Sequence, residues 1–209
     1  MANLVIGSTT VISDSSGSPT FQSSGVNYPT GHVIQVVGKT ITATTISHTD
    51  TFSDWVAIEG GSDATNFHVD ISPKQASSNF HIVLHTSIGG ESSAEGAILL
   101  RRGYDSSGGT SFSYTDIKGD ASGSCTRSTY YSAFDIGGTG ESTGALYCKG
   151  TNVWDTGVSY AVGGKFRYKV YWRNPGNTSG NLYLNRSYLT DTAERATGIS
   201  SIVVQEIAG

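Results

Sequence analysis

The chain has 209 residues, carries 13 Lys and Arg against 17 Asp and Glu, and is only 14% charged, with a net charge of −4. That balance argues against a nucleic-acid coat, which needs a clustered basic face. Twenty-seven glycines and a single methionine leave little material for helices and suit short strands joined by many turns.

Residues 1–30 differ from the rest of the chain. They are rich in Ser, Thr and Gly, with isolated Val-Ile pairs and one Phe. Such a stretch buries little apolar surface alone, so it reads as a short extended arm ordered against another copy or a larger assembly. Its start lacks a basic region before the short apolar run, so no signal peptide is expected. No stretch approaches membrane-spanning length, so a soluble protein without membrane insertion is expected.

From residue 31 onward strand signals recur. Val33, Gln35 and Val37 alternate with His32, Ile34 and Val36, which suits a strand covered on both faces. A Thr/Ile run over 40–46 comes after it, then 55–59, 67–71 and the long apolar run 80–88. Residues 97–101 come next. The stretch 103–123 reads as long loops around a short strand at 112–117. Strands resume at 129–135, 144–148 and 165–172. In that last strand Phe166, Tyr168, Val170 and Trp172 face one way and Arg167, Lys169, Tyr171 and Arg173 the other. With Lys165, the basic residues there read as a solvated strand face. Asn174-Pro175-Gly176-Asn177 is a turn. Residues 182–189 and 199–207 close the chain, with a short helical turn expected over 190–197. About a dozen closely spaced strands predict an all-β, antiparallel β-sandwich, jelly-roll-like, over 31–209.

Catalytic motifs do not emerge. There is no nucleophile elbow, P-loop, dinucleotide fingerprint, H-E-x-x-H or CxxC. No local pattern points to a glycosidase carboxylate pair. No catalytic residue and no cofactor are assigned. His81 and His85 share one strand face, as do His68 and Asp70 on the preceding strand. They would converge on a metal only if those strands paired, and the plainer reading is polar strand faces. Cys125 and Cys148 are too few for a disulfide framework or a structural zinc site. They read as two small buried thiols, with a pairing open if their strands are neighbours. Asn177-Thr178-Ser179 and Asn185-Arg186-Ser187 match the glycosylation sequon and read as chance matches.

Tyr104, Tyr130, Tyr131 and Trp154 lie in or beside Gly/Ser/Asn-rich loops. Aromatic rings with polar tips suit a sugar- or protein-binding surface, so these four are the candidate receptor-binding residues. The competing reading is that they pack loops onto the edge of the sandwich.

Three strings carry a family resemblance. The first is Pro29-Thr30-Gly31-His32-Val33-Ile34-Gln35-Val36-Val37. The second is Ile71-Ser72-Pro73-Lys74-Gln75-Ala76-Ser77-Ser78-Asn79-Phe80-His81-Ile82-Val83-Leu84, followed by Gly96-Ala97-Ile98-Leu99-Leu100-Arg101-Arg102-Gly103. The third is Ile199-Ser200-Ser201-Ile202-Val203-Val204-Gln205-Glu206-Ile207-Ala208-Gly209. Together they resemble the C-terminal domain of tail-fibre and other virion structural proteins of marine tailed phages. The resemblance implies a virion protein assembled in the host cytoplasm. It implies a homotrimer, contact with other virion proteins through residues 1–30, and a sandwich that meets a host-surface glycan. The leader is shorter than a tail-fibre stalk, so a capsid decoration or head-fibre protein is the alternative. A small polysaccharide-modifying enzyme comes third.

Overall fold

A computed structural model describes residues 3–6, 9–13, 20–21, 28–48, 54–90, 95–120, 127–133, 146–174, 180–187 and 197–209. The fold is all-β and antiparallel, a sandwich of two six-stranded sheets curled toward a half-barrel. A separate small sheet is formed by β1 (Asn3–Ile6), β2 (Thr9–Ser13) and β3 (Thr20–Phe21). The leader's strands therefore pair with one another, a local pairing that its polar composition did not suggest.

The first large sheet is built around β9 (Glu95–Asp105) and β13 (Lys165–Arg173), paired along nine residues of each. Beyond β9 lie β10 (Ser113–Ile117) and β11 (Tyr130–Ala133); beyond β13 lie β6 (Val56–Ala57) and β7 (His68–Ile71). The second sheet is built around β8 (Asn79–Gly90). On one side β8 carries β12 (Leu146–Asp155). On the other it carries β15 (Ser200–Ile207), with β4 (Val33–Ile41) beyond, and β14 (Leu182–Leu184), with β5 (Ser47–His48) beyond.

Period-two alternation explains the core. Phe80, Ile82, Leu84 and Ile88 of β8 and Ile202 and Val204 of β15 point inward. They meet Ile98 and Leu100 of β9 and Phe166, Tyr168, Val170 and Trp172 of β13, all buried. Phe80 and Phe166 touch edge-on across the sandwich, ring centres 5.1 Å apart. Burying each such side chain contributes roughly 1.5–3 kcal/mol.

Three polar anchors fix the connections. The Glu206 carboxylate, fully buried, accepts hydrogen bonds from the Lys74 and Gln75 amides, the Ser78 hydroxyl and the Gln35 amide group. The loop it holds, which contains Ser77 at φ 65°, is also pinned by the Tyr160 hydroxyl. Buried Asn185, at φ 61°, donates to the Ile41 and Ala43 carbonyls and accepts from Ser200. Asp155 at the end of β12 receives hydrogen bonds from Arg102 of β9 and, at 2.9 Å, from the Tyr168 hydroxyl of β13, tying the two sheets together.

Several expectations are corrected. β4 is not covered on both faces. Among the described strands it pairs with β15 alone, at the margin of the sheet, and Val36 is 55% exposed. The Thr/Ile run breaks after Ile41, and β14 stops at Leu184 because Asn185 turns the chain. β12 extends seven residues past the expected end at Cys148, through Gly150 and Asn152, whose weak β propensity masks the alternation. Cys148 is exposed rather than buried, its sulfur 3.2 Å from the Ser87 hydroxyl. Cys125, Asn177 and 190–196 of the expected helical turn lie outside the described residues.

Candidate functional site

The register of the β4-β15-β8-β12 sheet sets out its outer face. One row across the strands holds Val36, Gln205, His81 and Trp154; the next holds Gly38, Val203, Val83 and Asn152; the third holds Thr40, Ser201, His85 and Gly150. None of these twelve residues carries a carboxylate, ammonium or guanidinium side chain. Trp154 is 58% exposed, and its indole stacks on the His81 ring with centres 4.7 Å apart and planes 26° apart. His81 Nδ1 donates to Gln205 Oε1 at 3.2 Å. In the neutral ring that bond leaves Nε2 as an acceptor. The row thus offers an aromatic surface beside a fixed imidazole, with the exposed Asn152 amide one row away. Trp154 is placed by its neighbour Asp155, whose bonds to Arg102 and Tyr168 pin the end of β12.

The structure separates the four sequence-predicted residues. Trp154 is strongly exposed. Tyr104, on β9, packs against Phe166 with ring centres 4.9 Å apart, and its hydroxyl accepts from the Ala161 amide at 2.9 Å. The Tyr130 hydroxyl shares a hydrogen bond with Thr86 of the opposite sheet, and burial pushes its pKa far above the usual tyrosine range. Both tyrosines join packed parts of the sandwich. Tyr131 lies on β11 opposite Ala97. The sequence did not single out Gln205, Asn152 or Gly150, and His81 read as a metal ligand or part of a polar strand face rather than as an aromatic partner. Strand parity put Trp154 and Asn152 on one face, but only register joins them to His81 and Gln205.

The opposite outer face is built differently. On the β10-β9-β13-β7 sheet, Arg167 makes a two-pronged pair with Asp70 at 2.7 and 2.9 Å and lies over the Phe112 ring. Arg101 bonds Asp116 at 2.7 Å and lies over Tyr171, Lys118 pairs with Asp116, and Lys169 pairs with Glu59. Arg167 and Lys169, two of the four basic residues expected on a solvated face, thus belong to a half-buried ion-pair layer. The Lys118 and Arg101 bonds outweigh the cost of burial and hold the Asp116 pKa below the ordinary carboxylate value. A cleft of about 360 Å³ at its edge is lined by Gly38, Lys39, Asp63, His68, Val69, Asp70 and Arg167. His68 is 7% exposed, its Nε2 is 3.3 Å from Asp63, and burial together with Arg167 and Lys39 lowers its pKa.

His68 and His81 belong to different sheets, so the strand pairing on which metal convergence depended does not occur. Among the described residues no three His, Cys, Asp or Glu side chains converge as a metal site would require. Asn185 of the second sequon is buried with its amide bonded to backbone, which leaves it inaccessible to modification. No protein-family model matches the chain, and no curated protein matches it either.

Proposed function

We propose that this chain is a structural appendage protein of a tailed bacteriophage particle, with residues 1–30 anchoring it to other virion proteins as a homotrimer and the sandwich contacting the host surface. The observation that carries the host-contact part is the exposed Trp154–His81 stack among twelve outer-face positions that hold no carboxylate, ammonium or guanidinium side chain. The indole keeps 58% of its surface exposed while stacked on the imidazole, so it offers a large aromatic face to solvent. Aromatic residues with a polar edge are enriched where proteins bind. The phage assignment is supported by the three resembling strings and by a leader whose strands, among the described residues, share no ladder with either large sheet.

Antibody labelling of intact particles tests the assignment. Labelling confined to the tail supports it. Labelling over the head shell overturns it in favour of the decoration role, and absence from the particle overturns it outright.

A further inference from the structure

We infer that the exposed strip along β12, from Trp154 past Asn152 to Gly150, binds a neutral hexose-type glycan chain. This rests on the host-contact reading above and names what that face takes. Three observations carry it.

The first is the bare backbone at Gly150. A side chain added there would meet only the Leu84 carbonyl oxygen, at 3.9 Å, and its φ is not in the left-handed region. Neither packing nor conformation of the described residues requires glycine in the interior of this ten-residue strand. Gly103 on the other sheet is the contrast, since a side chain there would sit 2.8 Å from the Tyr114 ring and 2.9 Å from Phe112. A strand glycine that the described residues do not need fits a place where a ligand or another backbone approaches closely.

The second is the chemistry of the groups exposed along it. The C–H face of a pyranose packs on an indole, and its hydroxyls pair with imidazole and amide edges. Trp154, His81 Nε2 and Asn152 provide those groups in that order. The third is charge. The strip is uncharged in a chain of net −4, so it offers an acidic polysaccharide no counter-charge. From Trp154 to Gly150 the strand spans about 14 Å, room for a short oligosaccharide.

The test is affinity electrophoresis of the full chain in gels containing dextran, laminarin, mannan or alginate. Wild-type protein is expected to be retarded by at least one neutral polymer and not by alginate. Gly150→Val and the milder Gly150→Ser are expected to weaken that retardation about tenfold while the thermal midpoint stays level or rises. Retardation by alginate alone, or by no neutral polymer, overturns the inference. So does wild-type binding by either folded glycine variant. These results leave particle labelling unchanged, so the glycan inference can fail while the appendage reading stands. If labelling fails and glycan binding persists, the reverse holds.

Discussion

The two outer faces of the sandwich are made from the same backbone pattern and differ in what their side chains leave open. On the β9–β13 face, Arg101, Arg167 and Lys169 each meet a carboxylate and lie over or beside a ring, so the polar groups satisfy one another. On the β8–β12 face, Trp154, His81 and Asn152 form no such closed layer, and glycine interrupts the strand. The lesson is that an exposed face is read by what its groups are bonded to, not by its polarity.

The largest effect should come from the link beneath both faces. Asp155→Ala strips Arg102 and the Tyr168 hydroxyl of a largely buried acceptor and should cost about 3 kcal/mol in denaturant titration. It should loosen the charged and uncharged faces alike. Gly103→Val comes next. The added side chain collides with Phe112 and Tyr114, and a cost of about 2 kcal/mol is expected. Asp70→Ala, on a partly exposed pair, should cost about 1 kcal/mol or less. Gly150→Val should go the other way, neutral or stabilising by up to about 1 kcal/mol, because a β-branched residue suits an open strand position. A loss at Gly150 comparable to that at Gly103 would erase the distinction between the faces.

Acid should separate them as well. The folded His68 pKa lies below its ordinary 6.5, so the unfolded chain takes up the proton first. The stability from neutral His68 is complete above that value and is lost as pH falls through the lowered folded value. Asp105 adds a second loss at lower pH. Its pKa is depressed by the Ser107 hydroxyl and by the Ser107 and Ser111 amides, so its contribution holds above the ordinary carboxylate value and disappears below the folded one. Unfolding followed by tryptophan fluorescence from pH 7 downward should show the first decline in wild type and a shallower one in His68→Gln.

The β architecture was legible because alternation is local. Phe166 to Arg173 declares its buried and exposed sides in the sequence itself, and the structure agrees for all but Tyr171, which the Arg101 guanidinium covers. Pairing is not local. Nothing in the strings around His81, Trp154 and Gln205 says that these residues stand side by side, because face follows from spacing and register does not. The same gap hid Asp155 against Arg102 and Asn185 against Ile41. β4 misled for another reason. Its valines are apolar on both faces, which resembles a buried central strand, yet it closes one margin of its sheet.

The smallest stability change should accompany the largest loss of binding. Trp154→Ala removes an exposed side chain and should shift stability by no more than about 0.5 kcal/mol. The most direct measurement is therefore the migration of wild-type and Trp154→Ala protein in gels containing dextran, laminarin or mannan. The uncharged-face account predicts that at least one of these polymers holds back the wild type while the folded variant runs freely. Equal retardation of both proteins, or of neither, would contradict it.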